Sequence, residues 1–236
     1  MSFFQDLMSV WKKRDLVFRE RIQESEDVYS FIFAKSEDLT WRAGQYGLFS
    51  IAHTKIKNPT KPFSIASAPA ENSVRITTRI PGSPSDFKKA LLELKPGMTV
   101  KMSGPLGSFY PEENGPTLLV AGGIGMTPFR SILMQRKAEG KKAGSPIHLL
   151  YMDSSKSYLY SDELDEIAAG DPFVRVAYLS SREELNQELE TFLSSNKSMG
   201  SYLTAGSKSF ADSVSAYFRN KDVPKKKIKR DAFTGY

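Results

Sequence analysis

Cysteine is absent from this chain of 236 residues. Disulfide bonds, a thiolate zinc site and a cysteine-ligated iron–sulfur cluster are therefore excluded within it. Histidine is scarce, since only His53 and His148 occur, and no metal-ligand spacing is present. His148 lies in the apolar run 147–151, which predicts a buried strand, so we interpret it as a structural residue.

Long hydrophobic runs are absent as well. No stretch approaches the roughly 18 apolar residues that cross a bilayer, and no signal-peptide core is visible. We therefore expect a cytoplasmic protein without a transmembrane segment. The segment from Met1 to Trp11 is mildly amphipathic, which predicts a packing N-terminal helix and not a membrane anchor.

Positive charge exceeds negative charge, giving a formal net charge of +6 and a pI of about 9.3. Part of the excess lies in the lysine-rich segment 225–230. A nucleic-acid-binding surface would need stacking aromatics or a known motif beside the basic residues, and the chain shows neither. Two interpretations stay open: an ordinary solvated surface, or a docking face that speeds encounter with an acidic partner at low salt.

The first half of the chain, up to about residue 113, has the pattern of short strands. Runs of β-branched and aromatic residues alternate with turn signals at 16–22, 28–34, 45–51, 74–80 and 99–102. One helix interrupts them: Ser85 can cap it, and Phe87, Leu91 and Leu92 share one face. The pattern predicts a small antiparallel β-barrel of Greek-key type.

The second half alternates strands with helices. Apolar strand patterns fall at 117–121, 147–152, 174–179 and 202–204. Ser181 and Glu184 form a capping box for one helix, and Ser161 can cap another that stops at Gly170. Buried strands separated by helices predict a parallel α/β sheet of Rossmann-like type. We therefore predict two domains, 1–113 and 114–236, with the boundary at 111–116.

A glycine-rich turn follows the first parallel strand. Residues 122–125 read Gly-Gly-Ile-Gly and lead into a helix, where Thr127 can act as the cap and Pro128 can fill the first turn. Such a turn brings free helix N–H groups to a pyrophosphate. Pro128 replaces the third glycine of the common fingerprint. A plain turn without a ligand is the alternative, but the strand–turn–helix context favours a dinucleotide.

A second motif lies in the first half, where residues 61–67 read Lys-Pro-Phe-Ser-Ile-Ala-Ser. Lys61 offers a counter-charge for phosphate, Phe63 an aromatic face, and Ser64 and Ser67 hydrogen bonds. On this chemistry alone, a barrel strand that ends in two serines need not bind a ligand.

The segment 61–67 resembles the flavin motif R-x-Y-S-x-x-S of the ferredoxin–NADP reductase superfamily, and it is similar to the H-P-F-[ST]-x-x-S variant of ferric reductases and NADPH oxidases. Residues 43–46, 82–85, 95–97, 104–109 and 122–128 resemble further motifs of that superfamily, in the same order. The resemblance covers nearly the whole chain, and the motifs together are far more specific than any one of them.

The resemblance implies a barrel at 1–113 that binds FAD and an α/β domain at 114–236 that binds NAD(P)H, with hydride passing from nicotinamide C4 to flavin N5. It implies that Ser64 hydrogen-bonds near N5, that Phe63 packs beside the flavin ring, and that Lys61 neutralises phosphate. The serine-bearing edge and the glycine turn would face a shared crevice. The implied cofactor-binding residues are Lys61, Pro62, Phe63, Ser64, Ser67, Thr78, Gly82, Ser83, Pro84, Ser85, Gly122, Gly123, Gly125, Met126, Thr127, Pro128, Ser181, Arg182, Ala205 and Gly206.

Three positions depart from the family pattern. Lys61 replaces arginine and lacks its bidentate fork, so FMN in place of FAD stays open. Phe63 lacks the tyrosine hydroxyl. Ala205 stands where many members have cysteine, so no thiol assists hydride transfer.

The C-terminal segment 230–236 resembles the acidic–x–aromatic ending of plant-type reductases. By spacing, Asp231 matches the carboxylate that positions nicotinamide or relays a proton, and Phe233 matches the aromatic that covers the flavin. Tyr236 is an extra aromatic for the stacking role, and a final strand with a frayed tail is the alternative. The candidate catalytic residues are therefore Ser64, Asp231, Phe233 and Tyr236.

Two features of the sequence favour different dinucleotides, one NADH and the other NADPH. Asp153 follows the second parallel strand, where a carboxylate commonly binds the ribose 2′-hydroxyl of NAD. Ser181 and Arg182 instead resemble the run with which plant-type reductases hold the 2′-phosphate of NADP, and Lys156 can assist them. Ser181 has a role as a helix cap in either case. The sequence favours NADPH, and NADH stays open.

The net positive charge of the chain is the main sequence feature that bears on the identity of the electron acceptor. Because the chain has no cysteine for an iron–sulfur relay, electrons must leave the flavin directly, and the positive charge favours an acidic carrier, ferredoxin or flavodoxin. Two alternatives stay open: reduction of a small acceptor such as a ferric chelate, free flavin or quinone, and a flavin-binding subunit that needs a partner for turnover. We expect a monomer or a homodimer.

Overall fold

A computed structural model of the chain describes residues 13–112, 115–140 and 145–233. By their contacts the residues form two compact units, which divide in sequence between Ser108 and Phe109. The helix expected at the N-terminus and the stacking role expected of Tyr236 fall outside the described residues.

The first unit is an antiparallel sheet of six strands in the order β4-β3-β6-β1-β2-β5. The strands are β1 (Lys13–Gln23), β2 (Val28–Ala34), β3 (Tyr46–Ile51), β4 (Thr60–Ser64), β5 (Ser73–Arg79) and β6 (Thr99–Leu106), and helix α1 (Asp86–Leu92) lies between β5 and β6. The chain beyond β4 bridges the two outer strands, since the Ala66 N–H donates to the Arg75 carbonyl of β5 at 2.8 Å. The predicted antiparallel β-barrel architecture is confirmed.

Aromatic side chains fill the core of the first unit. Phe33 contacts Phe18 and Phe49 at ring-centroid distances of 5.7 and 6.3 Å. Phe87 closes this core from α1 and is buried, as its place on the predicted apolar face requires. Ser85 stands at the N-cap of α1, as predicted, but its side chain makes no capping hydrogen bond.

The second unit is a parallel sheet of five strands in the order β11-β10-β7-β8-β9. The strands are β7 (Thr117–Gly122), β8 (Ile147–Met152), β9 (Val174–Leu179), β10 (Ser201–Ser207) and β11 (Ile228–Phe233), and the helices are α2 (Met126–Glu139), α3 (Ser161–Gly170), α4 (Arg182–Asn196) and α5 (Lys208–Asn220). The predicted α/β class is confirmed. No helix among the described residues has both the length and the apolar character needed to span a membrane.

The structure confirms the predicted start of α4 and corrects that of α2. The capping box of α4 is present, since Ser181 Oγ accepts from the Glu184 N–H at 3.2 Å and Glu184 Oε2 accepts from the Ser181 N–H at 3.2 Å. Thr127 is not the cap of α2: a tight turn at Gly123–Gly125 already leads into the helix, and Thr127 Oγ1 donates back to the Ile124 carbonyl.

Helix α3 also begins and ends differently from the prediction. Tyr160, in the left-handed conformation at φ 64°, occupies the N-cap, and Ser161 is already helical. Gly170 is the last residue of the helix, and Asp171 is its C-cap. The side chain of Asp171 is fixed by Arg136 of α2 at 2.8 Å, and this tertiary contact sets the end of the helix.

His148 lies on β8, as the sequence predicts, and packs edge-on against Phe192 of α4 at 5.2 Å. Burial lowers the pKa of His148, and the positive charge of Arg175 lowers it further. The imidazole is therefore neutral at neutral pH and acts as a packing residue.

Ser215 on α5 provides a test of packing in the second unit. It is 1% exposed, and its hydroxyl has no hydrogen-bond partner among the described residues. Such a group costs roughly 1–3 kcal/mol, and alanine also has the higher helix propensity. We expect Ser215→Ala to raise the free energy of unfolding by about 1 kcal/mol in urea denaturation. Ser195→Ala is the control, because Ser195 is an exposed residue of α4; equal gains in both variants would contradict the prediction.

Candidate active site

The ends of the parallel strands define a candidate site in the second unit. The connections run from β7 outward to β8 and β9, and the chain then returns to β10 on the other side of β7. The carboxyl ends of β7 and β10 therefore form a topological switch point, where open α/β sheets bind ligands. The two predicted glycine segments lie at these strand ends: residues 122–125 begin at the last residue of β7, and Ala205 and Gly206 lie in the last part of β10.

The two glycine segments touch each other at the switch point. A Cβ atom on Gly125 would lie 2.6 Å from Gly206 Cα and closer still to the carbonyl of Ala205. A Cβ on Gly206 would lie 3.1 Å from the carbonyl oxygen of Gly122. The backbones can approach this closely only because these positions lack side chains. Gly122, Gly125, Ala205 and Gly206 are thus brought together as one cradle.

The cradle leads directly into helix α2. Gly123 turns the chain at a positive φ of 52°. Met126, Thr127 and Pro128 form the buried first turn of the helix. The first N–H groups of a helix have no partner within it and carry partial positive charge, so they can bind an anion. Pro128 has no N–H group to leave unsatisfied.

Phe210, which the sequence did not indicate, packs against the same cradle. A Cβ on Gly122 would lie 2.7 Å from Cδ1 of Phe210, and a Cβ on Gly206 would lie 2.9 Å from that atom. Ser207 caps α5 by accepting from the Phe210 N–H at 3.2 Å. The ring therefore sets the spacing of the two glycine segments. In sequence, it cannot be distinguished from an ordinary core aromatic.

Asp153 follows β8 and lies beside the cradle. Its Oδ1 accepts from the Ser155 N–H at 2.8 Å and from the Ser155 hydroxyl at 2.5 Å. Its Oδ2 lies 3.8 Å from the position that a Cβ would take on Gly123, and it has no hydrogen-bond partner among the described residues. One carboxylate oxygen is therefore open at the edge of the glycine turn.

Ser181 and Arg182 follow β9 at the same edge of the sheet. The hydroxyl of Ser181 serves the capping box of α4. The guanidinium of Arg182 donates to Ser213 of α5 at 2.8 Å. Both residues are thus near the carboxyl end of their strand, but each already has a structural contact.

Asp231 and Phe233 lie on β11, next to β10. Asp231 pairs in register with Ala205, and Phe233 pairs with Ser207. The two candidate catalytic residues of the C-terminal segment therefore flank the second glycine segment of the cradle.

The serine motif of the first unit spans β4 and the turn beyond it. Lys61 and Pro62 are exposed, and Ser64 is buried opposite Tyr46 of β3. Phe63 is half-buried and faces the core, where it stacks on Phe87 at 5.6 Å and meets Phe49 at 5.9 Å. The strand thus presents a cation at its start and a hydroxyl at its end.

Ser67 has a structural role in this unit. It is fully buried, and its hydroxyl donates to the Ser73 carbonyl at 2.7 Å and accepts from the Arg75 N–H at 2.9 Å. Its own carbonyl accepts from Trp41 Nε1 at 3.1 Å. These bonds hold the end of the serine motif against β5.

Gln45 provides a second support for the serine motif. Its side chain accepts from the Arg42 N–H at 2.8 Å and donates to the Gly107 carbonyl at 2.9 Å. Its backbone carbonyl accepts from the Ile65 N–H at 3.0 Å. Gln45 therefore joins the end of β4 to two neighbouring turns.

The remaining predicted residues of the first unit lie on β5 and before α1. Thr78 is buried on β5. Gly82, Ser83 and Ser85 are exposed, and Pro84 is half-buried. A Cβ on Gly82 would meet no atom within 4 Å, so this loop has open space on that side.

Known proteins resemble this chain in sequence and in fold. Residues 119–214 match the family model described as "Oxidoreductase NAD-binding domain". Toluate 1,2-dioxygenase electron transfer component from Pseudomonas putida is 30% identical over 156 residues, which are 64% of this chain and 44% of that protein. Ferredoxin–NADP reductase B from Sorangium cellulosum is 35% identical over 130 residues, or 52% of this chain and 50% of that protein. The chain spans about half the length of these relatives.

Solved structures show the same fold over nearly the whole chain. Ferredoxin–NADP⁺ reductase from Plasmodium falciparum aligns with a TM-score of 0.82 at 17% identity, covering 95% of this chain and 97% of that one. The flavohem-like FAD/NAD binding domain of nitric oxide dioxygenase from Vibrio cholerae aligns with a TM-score of 0.72 at 23% identity, covering 93% and 98%. These identities establish the fold alone. The sequence matches add that residues 119–214 correspond to an oxidoreductase NAD-binding domain, and that the chain is similar to proteins named as an electron transfer component and as ferredoxin–NADP reductase.

Proposed function

We propose that this protein uses a reduced nicotinamide dinucleotide to reduce bound FAD and passes the electrons to a separate acidic carrier of the ferredoxin or flavodoxin type. The observation that carries the proposal is the cradle at the switch point, where Gly125 and Gly206 touch without room for a side chain. It lies within the region that matches the oxidoreductase NAD-binding model.

In the second unit, the cradle and the start of α2 fit a dinucleotide. Backbone at Gly122 and Gly123 can approach a pyrophosphate, and the N–H groups of the turn at Gly123–Gly125, which leads into α2, can donate to it. Asp153 offers an oxygen for a ribose hydroxyl at the same edge. Asp231 and Phe233 pair in register with Ala205 and Ser207, and this position supports a role for them in orienting a nicotinamide ring.

In the first unit, the residues present fit a flavin nucleotide. The Lys61 ammonium is exposed and has no partner among the described residues, so it can neutralise a phosphate. The exposed loop at Gly82–Ser85 offers N–H groups for the rest of the diphosphate, and Ser64 offers a hydroxyl at the end of β4. Ser67 and Gln45 hold that end in place. When bound, a flavin accepts hydride and releases electrons one at a time, which nicotinamide does not.

The proposal of an acidic carrier rests on the β3–β4 hairpin, the segment 52–62 with its lysines. No aspartate or glutamate occurs from Leu39 to Ala70. Lys55 and Lys57 are exposed in this hairpin and have no partners among the described residues. Unpaired cations of one sign attract a partner of the opposite sign and speed its encounter. Relatives named as an electron transfer component and as ferredoxin–NADP reductase support a protein acceptor.

The proposed function is tested with the purified protein. We expect its visible spectrum to show flavin, and we expect anaerobic addition of reduced dinucleotide to bleach that spectrum. Subsequent addition of oxidised ferredoxin or flavodoxin should restore it. A protein that stays colourless and takes up no FAD on reconstitution would refute the proposal. A yellow protein that reduced dinucleotides do not bleach would instead support a flavin-binding subunit.

A further inference from the structure

We propose that the dinucleotide is NADH, and that Glu184 is the residue that excludes the 2′-phosphate of NADPH. The inference rests on the proposed function, because it requires a dinucleotide at the carboxyl edge of the parallel sheet. It reverses the preference for NADPH that the Ser181 and Arg182 motif suggests in the sequence.

The N–H groups at the N-terminus of α4 already bind a carboxylate of the same chain, that of Glu184. Glu184 Oε2 accepts from the Ser180 N–H at 2.7 Å and from the Ser181 N–H at 3.2 Å, and the Ser180 hydroxyl donates to the same oxygen at 3.3 Å. These are donors that a 2′-phosphate beside Ser181 would need. A phosphate arriving there would meet a carboxylate in place of free N–H groups.

The two cations near the same edge are also engaged. Arg182 points its NH1 group to Ser213 of α5 at 2.8 Å. Lys156 lies close enough to Glu184 to help lower the pKa of that carboxyl, although the larger cause is the hydrogen bond from the Ser180 N–H. Its charge therefore offsets Glu184 before any ligand binds. In the motif that resembles a phosphate site, the Ser180 and Ser181 N–H groups and the charge of Lys156 are therefore already engaged by Glu184, and the Arg182 side chain is held by Ser213.

The surroundings of Tyr158 show that two carboxylates, those of Asp153 and Glu184, lie at this edge of the sheet. Its ring is held by Tyr151 at 5.3 Å and by Tyr178 at 4.9 Å. Its hydroxyl has no hydrogen-bond partner among the described residues. Burial raises the pKa of Tyr158, and the charges of Asp153 and Glu184 raise it further, which places both carboxylates near the phenol.

This arrangement favours a neutral ribose over a phosphorylated one. The open Oδ2 of Asp153 can accept from a 2′-hydroxyl, and the Tyr158 hydroxyl can donate or accept beside it. A 2′-phosphate carries a charge of about −1.5 to −2 at neutral pH, so two carboxylates would repel it. Specificity then comes from repulsion of the wrong ligand as much as from attraction of the right one.

Glu184→Gln tests the inference with little change in shape. Glutamine preserves the capping box, so the variant removes the charge and keeps the helix start. We expect kcat/KM with NADPH to rise by about 10-fold or more, since one like-charge repulsion is lost, while kcat/KM with NADH changes by less than about 2-fold. Glu188→Gln is the matched control, because Glu188 lies one turn further along α4 and pairs with Arg175.

Binding measurements separate this inference from the proposed function. By calorimetry, we expect the wild-type protein to bind AMP more tightly than 2′-phospho-AMP, and Glu184→Gln to reduce that difference. Asp153→Asn should weaken AMP binding and raise KM for NADH, which tests the same edge if Glu184→Gln fails to fold. A wild-type preference for NADPH, or an unchanged ratio in Glu184→Gln, would overturn the inference and leave the reductase proposal standing. If neither nucleotide binds, both proposals fall.

Discussion

Gly125→Ala is expected to lower the second-order rate of flavin reduction by reduced dinucleotide by at least about 100-fold. The added Cβ would collide with the Ala205 carbonyl and lie 2.6 Å from Gly206 Cα. Neither contact can be relieved by moving a side chain, because the atoms belong to backbone. The two glycine segments must therefore separate, and a displacement of about 1 Å at a reacting centre costs about 100-fold in rate.

The measurement is stopped-flow reduction of the flavin under anaerobic conditions, with flavin content determined beforehand. Gly170→Ala is the matched control, since it makes the same chemical change in α3 at a position where a Cβ meets nothing within 4 Å. We expect that variant to behave as wild type. Normal flavin content with normal reduction in Gly125→Ala would show that the cradle does not bind the dinucleotide.

Much of the fold could be predicted because its signals are local. Strands β8 and β9, Ile147–Met152 and Val174–Leu179, match the predicted bounds, since continuous apolar runs in a buried parallel sheet have few alternatives. The capping box of Ser181 and Glu184 was also predicted correctly, because its two hydrogen bonds involve residues three positions apart.

The features that escaped prediction depend on contacts between distant parts of the chain. The end of α3 is set by Arg136 binding Asp171, and the spacing of the cradle is set by Phe210 against Gly122 and Gly206. No local pattern encodes either contact.

At the carboxyl edge of the parallel sheet, where we propose that the dinucleotide binds, sequence alone also fails to predict which ligand is accepted. Ser181 and Arg182 match a phosphate-binding run in sequence, yet the donors at that helix start are taken by Glu184. A motif gives the residue types, whereas their hydrogen-bond partners decide what charge the site accepts. The same holds for Ser67, whose hydroxyl is used by Ser73 and Arg75.

Lys55→Glu/Lys57→Glu, a double charge reversal on the β3–β4 hairpin, is expected to slow electron transfer to an acidic carrier by about 10- to 100-fold at low ionic strength. Both side chains are exposed and have no partner among the described residues, so no native ion pair is broken by the change. Reversing them turns attraction into repulsion at the surface where we propose that the carrier docks. Lys61 is left intact, because we place it in the flavin site.

The assay compares two acceptors over a range of salt concentrations. Reduction of ferredoxin or flavodoxin should fall in the variant at low salt, and its decline with added salt should weaken or reverse, while reduction of a small uncharged quinone should stay within about 2-fold of wild type, because a neutral small acceptor needs no charged docking surface. Lys225→Glu/Lys226→Glu is the control, since it reverses the same amount of exposed charge on the other unit. If that control slows the carrier as much as the hairpin variant does, net charge and not the hairpin governs the encounter. If neither variant slows it, the acceptor is not an acidic protein, and the small-acceptor alternative takes its place.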